Sequence, residues 1–246
     1  MFIWLLIVIA AAFTFITTYF LRKILISRNV LVIPNDRSSH QEPKPQGGGL
    51  SIVICFILFL LLSHSMGFIE DKILFALGVP GLLIGLIGLK DDFNSINPLP
   101  RLIIHFLSAS LGLYLLGGFP PIPIFGTQIN LGFIGQILAI FYIVWVVNLY
   151  NFMDGIDGLA SLEAIFIFSS LAVFISLISV NSDIFLILTF LVGSVLGFLL
   201  LNFPKSYIFI GDVGSGFLGI IGANALKPCP KLVRPKMKWL LRYCRR

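Results

Sequence analysis

Long apolar stretches, separated by short polar segments, dominate the sequence. A bilayer core of about 30 Å takes about 17–25 helical residues, and seven stretches reach that length. They are Phe2–Leu21, Gly49–Phe68, Ile73–Leu89, Leu102–Phe119, Leu131–Val147, Leu162–Val180 and Ile184–Leu201. An eighth stretch, Val213–Leu226, is shorter. The pattern predicts an all-α, polytopic transmembrane helical bundle with seven spans and a partial eighth.

The composition supports a membrane protein and excludes a soluble one. Hydrophobic residues make up 58% of the chain and charged residues only 11%, whereas a soluble domain carries roughly 25% charged residues. A transmembrane barrel would show alternating polar and apolar residues in segments of about ten. The apolar runs here are continuous, so helices are the structures that satisfy the backbone in lipid.

The basic residues predict the orientation. No positive segment precedes the first apolar stretch, and Arg22 and Lys23 follow it, which indicates a retained first helix whose N-terminus lies outside the cell. Alternation then places four segments in the cytoplasm, and outside the C-terminal tail these hold 8 of 9 Lys and Arg residues. The segments are 22–48, 90–101, 148–161 and 202–212. Residues 120–130, punctuated by Pro and Gly, predict a short periplasmic hairpin.

The C-terminal residues differ from the rest of the chain. Of the 17 Lys and Arg residues, 8 lie between Lys227 and Arg246. We therefore divide the chain into a transmembrane domain, 1–222, and a basic, atypical tail, 223–246. Neither the tail nor the domain places its cysteines at a metal-ligand spacing.

Carboxylates gather on the predicted cytoplasmic side, at helix ends. They are Asp91, Asp92, Asp154, Asp157 and Asp212. Charges near the membrane interface are costly unless they are paired, solvated or bound to a cation. One interpretation is a set of solvated loop charges; the other is a cluster of oxygen ligands. Without Cys or His nearby, such a cluster favours Mg²⁺ or Mn²⁺ and therefore phosphate chemistry.

Three polar motifs accompany these carboxylates. Gly47–Gly49 precede a helix, where exposed backbone N–H groups bind anions, with Arg37, His40 and Lys44 as further donors; a flexible turn is the alternative. The segment from Asn148 to Leu159 combines two Asn, two Asp and two Gly residues. Gly211-Asp-Val-Gly-Ser215 is the third, with an Asp cap on the following helix as its structural alternative.

Four motifs in order resemble the polyprenyl-phosphate N-acetylhexosamine-1-phosphate transferases, glycosyltransferase family 4, whose superfamily includes the phospho-MurNAc-pentapeptide translocase. They are Arg37-Ser38-Ser39-His40 with Pro45 and Gly47–Gly49; Asp91-Asp92; Asn148 to Leu159; and Gly211 to Ser215. The Arg-Ser-Ser-His form resembles the branch that initiates O-antigen and teichoic-acid synthesis. The likeness covers roughly residues 1–222.

The resemblance implies a reaction at the cytoplasmic face of the bacterial inner membrane. Polyprenyl phosphate attacks the β-phosphorus of a UDP-sugar, UMP leaves, and Mg²⁺, or Mn²⁺, holds the pyrophosphate. The product would initiate a lipid-linked cell-envelope glycan. The implied partners are the UDP-sugar, polyprenyl phosphate and the lipid bilayer; no nucleic acid is implied, and a homodimer is left open.

The resemblance also implies residue roles. Asp212 and Asn151 would be the metal ligands. Asp91 or Asp92 would deprotonate or orient the lipid phosphate, and Asp154 and Asp157 would line the nucleotide site or support the metal. The substrate-binding residues would be Arg37, Ser38, His40, Lys44, Asn148 and Gly211.

One departure from the family concerns the C-terminal part. The family carries a further loop with a His-x-His type motif, whereas the chain has no His beyond Asp212 and its tail resembles nothing in the family. We therefore expect a C-terminally truncated member, with an inactive remnant as the alternative.

Two other classes fit the sequence less well. A transporter would carry its charges at the membrane midplane, whereas the clustered carboxylates of this chain lie at predicted helix ends on one side. A CDP-alcohol phosphotransferase would need further Asp residues in 158–182, which contain none.

Overall fold

The computed structural model describes residues 2–33, 42–124, 127–178 and 183–225. Within these ranges the chain forms eight α-helices and two small antiparallel sheets. The helices are α1 (Phe2–Ser27), α2 (Leu50–Ser65), α3 (Asp71–Phe93), α4 (Pro98–Leu115), α5 (Gly132–Met153), α6 (Leu159–Ile178), α7 (Asp183–Asn202) and α8 (Gly211–Ala225). The strands are β1 (Leu31–Val32), β2 (Lys44–Pro45), β3 (Ile122–Ile124) and β4 (Thr127–Ile129). The all-α prediction is confirmed.

The number of spans is smaller than predicted. Six helices in the described ranges are long and apolar enough to cross a membrane: α1, α3, α4, α5, α6 and α7. The predicted span Gly49–Phe68 is instead α2, with 16 residues, which at about 1.5 Å per residue falls short of a bilayer core. Its ends explain the difference, because Gly48 and Gly49 form a turn before it and Gly67 follows it with φ +76°.

Several helices extend beyond the apolar stretches that predicted them. Arg22 and Lys23 lie within α1, and Asp91 and Asp92 lie in the last turn of α3. A helix does not end where the hydrocarbon ends, since its backbone bonds remain satisfied in the headgroup region. The connections are therefore shorter than predicted; only residues 94–97 separate α3 from α4.

Helix α8, the predicted partial eighth span, lies at the centre of the bundle. It packs mainly against α3 and α5, and all its residues except Asp212 are buried. Glycines make this possible: a Cβ on Gly88 of α3 would lie 2.5 Å from the carbonyl carbon of Asp212, and one on Gly219 would lie 2.8 Å from the Cα of Val147 in α5. Backbones thus meet where side chains would keep them apart.

The two sheets are local features. Within the predicted hairpin at 120–130, β3 and β4 pair antiparallel, with Ile122 opposite Ile129. A second pairing, Leu31 with Pro45 and Val32 with Lys44, was not predicted. It fixes β2, and with it Lys44, against the bundle. The tail from residue 226 onward lies outside the described residues, and the domain boundary at 222 stays a prediction.

Candidate active site

The carboxylate of Asp92 caps α8 from a neighbouring helix. Its Oδ1 accepts the backbone N–H of Asp212 at 2.9 Å, and its Oδ2 accepts that of Val213 at 3.1 Å. Oδ1 also accepts Gln46 Nε2 at 2.7 Å. The first N–H groups of a helix have no partner within it and attract negative charge. The cap on this helix therefore comes from Asp92 of α3 rather than from the helix's own Asp212.

Arg101 joins Asp91 to Asp212. Its Nη1 donates to Asp91 Oδ2 at 2.6 Å and to Asp212 Oδ2 at 2.9 Å. Asp91 Oδ1 accepts the N–H of Ile96 at 2.6 Å. All three charged side chains are largely screened from solvent, with 11% of Asp91, 18% of Asp212 and 28% of Arg101 exposed. One guanidinium thus brings the ends of α3 and α8 together.

Asp154 lies directly after α5 and contacts the same place. Its Oδ2 accepts the backbone N–H of Gly211 at 2.9 Å. Burial raises the pKa of Asp154 well above its ordinary value, and the negative charges of Asp92 and Asp212 act in the same direction against the lowering effect of the Gly211 amide. The carboxylates of three chain segments therefore interact electrostatically at one end of the bundle.

Asp157 is held by Lys44 at the edge of this group. Lys44 Nζ lies 3.4 Å from Asp157 Oδ2, which also accepts the N–H of Ser206 at 3.1 Å. The Lys44 ammonium lies 5.2 Å from the centre of the Phe209 ring, within cation–π range. Asp157 Oδ1 is buried and has no hydrogen-bond partner in the described part of the chain.

Two of the three N–H groups in the glycine-rich turn are not available to an anion. Gly48 N–H donates to the carbonyl of Phe209 at 2.9 Å, and Gly49 N–H donates to that of Ile210 at 2.8 Å. The prediction that these amides are free to bind phosphate is therefore wrong, because backbone partners on a neighbouring loop satisfy them. The turn instead fastens the loop that leads into α8.

The backbone conformation and the close surroundings of position 211 favour glycine. Its φ is +73°, and a Cβ there would lie 2.5 Å from Asp92 Oδ2. An L side chain would be strained and would also displace the capping carboxylate. Gly211 N–H already donates to Asp154, so its predicted part in substrate binding receives no direct support from this geometry.

Asn202 connects the loop that carries Asp157 to the loop that leads into α8. Its Oδ1 accepts the N–H of Gly158 and the hydroxyl of Ser161, each at 3.1 Å. Its Nδ2 donates to the carbonyl of Ile208 at 3.0 Å and lies 3.4 Å from Ser206 Oγ. The residue is 4% exposed. A buried amide that satisfies four groups fixes the relative position of the loops it joins.

The remaining predicted site residues divide into two groups. Arg37, Ser38 and His40 lie outside the described residues. Asn148 and Asn151 lie on the last turns of α5; Asn148 Nδ2 donates to the carbonyl of Val144 in its own helix at 2.7 Å. Asn151 is half-buried, and among the described residues its side chain makes no hydrogen bond. Its role as a metal ligand stays a prediction.

Three residues of the site were missed by sequence reasoning: Gln46, Arg101 and Asn202. Arg101 counted only as a basic loop residue, although the Asn and Pro residues at 94, 97 and 98 indicated a short turn that returns it towards Asp91. Asn202 gave a weaker signal, a polar residue ending an apolar run. Nothing around Gln46 distinguished it from an ordinary loop residue.

The carboxylates of this site would suit a divalent cation that the phosphates of a substrate also bind. In the described ranges no three carboxylate, His or Cys side chains come close enough to hold a metal ion alone. Mg²⁺ commonly binds one or two carboxylates and completes its shell with water and substrate phosphates. Asp91 and Asp212 each place an oxygen within 3 Å of one positively charged nitrogen, so these two would hold such an ion.

Fold and site together define an integral membrane protein with a carboxylate-rich site at one end of a helical bundle. Residues 74–226 match the family model described as glycosyl transferase family 4. The chain belongs to this family. The match includes Asp91, Asp92, Arg101, Asp154 and Asp212.

Individual relatives agree with that assignment. The phospho-N-acetylmuramoyl-pentapeptide-transferase of Streptococcus pneumoniae serotype 19F (strain G54) is 34% identical over 199 residues, which cover 75% of this chain and 60% of the relative. The protein of the same name from Streptococcus pneumoniae strain 70585 is 33% identical with the same coverage. The chain thus spans about 60% of the length of these relatives.

We predict that Asn202→Ala destabilises the folded protein. The change removes the acceptor of the Gly158 amide and of the buried Ser161 hydroxyl, and each unsatisfied group costs about 1–3 kcal/mol. The midpoint of thermal unfolding in detergent should fall clearly below that of the wild type. Asn148→Ala is the matched control, since it removes the same amide but only a bond within its own helix. Equal midpoints for the two variants would contradict the proposed connection.

Proposed function

We propose that the chain transfers a sugar-1-phosphate from a UDP-sugar to polyprenyl phosphate and releases UMP. The proposal rests on one observation: Asp91 and Asp212, which come from two different helices, both contact the guanidinium of Arg101 at the end of the bundle. Such an arrangement suits a reaction between a water-soluble diphosphate and a phosphate whose chain lies in the lipid. Membership of glycosyl transferase family 4 supports the same reaction.

The proposed reaction exchanges one phosphoanhydride bond for another. An oxygen of polyprenyl phosphate forms a bond to the β-phosphorus of the UDP-sugar, and the bond from that phosphorus to the bridging oxygen breaks. UMP leaves with the bonding electron pair. Mg²⁺, or Mn²⁺, would neutralise charge on the diphosphate as it develops, held by Asp91 and Asp212 with the predicted support of Asn151.

The residues of the chain would position the two phosphates. Asp92 holds the N-terminus of α8, and with it the Asp212 carboxylate. Asp154 and Asp157 orient the neighbouring loops through Gly211 and Ser206. Positioning of this kind accounts for much of phosphoryl-transfer catalysis, because the protein supplies little covalent chemistry.

Two donor classes remain in competition. The Arg37-Ser38-Ser39-His40 segment supports UDP-N-acetylhexosamine, as in initiation of O-antigen or teichoic-acid synthesis. The relatives, by their names, transfer phospho-N-acetylmuramoyl-pentapeptide, which supports the corresponding UDP-linked donor of cell-wall synthesis. Assays that offer the two donors separately, with undecaprenyl phosphate as the common acceptor, distinguish these alternatives.

We expect transfer to require a divalent cation and Asp212. Asp212→Asn should lower the rate at least about 100-fold, because loss of one metal ligand removes several kcal/mol of charge stabilisation. The measurement is formation of radiolabelled lipid-diphosphate sugar by the purified chain, with Mg²⁺ and with EDTA. Asp183→Asn, the same change in the first turn of α7 at the far end of that helix from Asn202, should leave the rate unchanged.

The outcomes of this assay separate the alternatives. Near-normal transfer by Asp212→Asn would remove Asp212 from the metal site. Transfer that persists in EDTA would contradict the metal requirement. Absence of transfer with either donor would favour an inactive remnant.

We further propose that the site faces the cytoplasm of a bacterial inner membrane. The distribution of basic residues supports this orientation. In a variant without its native cysteines, Cys introduced for Ser95, in the α3–α4 turn, should resist a membrane-impermeant maleimide in intact cells. Cys introduced for Gln128, in the predicted periplasmic hairpin, should react; both side chains are exposed. The reverse pattern would overturn the orientation.

A further inference from the structure

Arg101 occupies the place where a shared cation would bind. A single atom, Nη1, lies 2.6 Å from Asp91 Oδ2 and 2.9 Å from Asp212 Oδ2. A divalent cation held by Asp91 and Asp212 would need these same two oxygens as ligands. The guanidinium and the ion would therefore compete for them.

Other bonds restrict how the carboxylates could rearrange to accept both. Asp91 Oδ1 is occupied by the N–H of Ile96 at 2.6 Å. Asp92, a neighbouring carboxylate, has both oxygens engaged by the amides of Asp212 and Val213. The backbone of Asp212 is itself fixed by that cap. The simplest way to admit an ion is for Arg101 to leave.

Arg101 is able to leave without unfolding its helix. It lies in the first turn of α4, beside the short 94–97 turn, and 28% of its side chain is exposed. Its contacts with Asp91 and Asp212 are made by one guanidinium nitrogen, so rotation of the long side chain breaks both together. The freed guanidinium suits bidentate binding of a phosphate.

We infer that Arg101 is the resident counter-ion of Asp91 and Asp212 in the cation-free site, and that a divalent cation binds by displacing it. This inference rests on the proposed metal requirement. It gives Arg101 two positions: on the carboxylates without the ion, and released towards an anionic ligand with it. Cation binding and diphosphate binding would then favour each other, because the ion frees a phosphate-binding group.

Manganese binding to the purified 246-residue chain tests the inference without an activity assay. Free Mn²⁺ is measured by electron paramagnetic resonance, and Mg²⁺ is used as a competitor. Arg101→Gln should bind Mn²⁺ at least about tenfold more tightly than the wild type, because the ion no longer has to break hydrogen bonds between charged groups. Arg101→Lys should tighten binding less, since an ammonium still competes as a point charge.

Lys90→Gln separates displacement from a general change of charge. Lys90 precedes Asp91, is exposed, and makes no ion pair among the described residues. Removing its charge should change the Mn²⁺ affinity within about twofold, as expected for an exposed charge. A gain equal to that of Arg101→Gln would show a general electrostatic effect and overturn the inference.

A second measurement, thermal unfolding, remains informative if Arg101→Gln folds poorly without the ion. In EDTA, Arg101→Gln should unfold at a lower temperature than the wild type, because two carboxylates lose their counter-ion. Mn²⁺ should then raise its midpoint by more than it raises that of the wild type. An equal or smaller rise would contradict displacement.

The results also distinguish this inference from the proposed function. If the wild type and Asp212→Asn both fail to bind Mn²⁺, the metal site itself is wrong and the inference falls with it. If binding requires Asp212 but is unchanged or weaker in Arg101→Gln, the metal site stands and only the displacement is wrong.

Discussion

The arrangement of the site depends on one partly buried contact, that between the Asp92 carboxylate and the first amides of α8. An uncapped helix end within a bundle would leave N–H groups without partners, at a cost that the limited access of water relieves only in part. Asp92 satisfies two of these groups from the end of α3. Because α8 is central in the bundle, fixing its first turn also fixes Asp212 and the loop that precedes it.

Small residues make this contact geometrically possible. The backbones of α3 and α8 touch at Gly88, and the turn before α2 touches α8 where Gly49 meets Gly214. Larger side chains at these positions would separate the elements, and Asp92 would no longer reach the amides. The same closeness brings Arg101 within hydrogen-bond distance of carboxylates on two helices. The close packing of these elements at their glycines thus determines both the arrangement of the helices and the geometry of the site.

Much of this could be predicted from the sequence, and particular residues show the limit. Apolar length was sufficient to find the helices, but hydropathy placed Arg22 and Asp91 in loops, because a helix continues where its residues become polar. The acidic residues were found because charge is rare in such a chain. Their partners were not, since Gln46, Arg101 and Asn202 are ordinary residue types whose importance depends on three-dimensional contacts.

The glycine-rich turn shows a different limit. Three glycines before a helix predict free amides that bind an anion, and the pattern alone cannot reveal that Phe209 and Ile210 use two of those amides. Likewise, an Asp at the start of α8 predicts a cap, yet Asp92 supplies it from a residue 120 positions earlier in the chain. Hydrogen bonds between distant segments determine both the state of the glycine amides and the cap of α8. A local sequence pattern contains no information about such bonds.

Amide hydrogen exchange across the start of α8 tests the central contact most directly. A peptide that contains Asp212 and Val213 is followed by mass spectrometry in the wild type and in Asp92→Ala, in detergent. The account predicts protected amides in the wild type and exchange at least about tenfold faster in the variant, with α1 and α7 unchanged, because the cap and not the whole bundle is lost. Identical exchange at this helix end in the two proteins would contradict it.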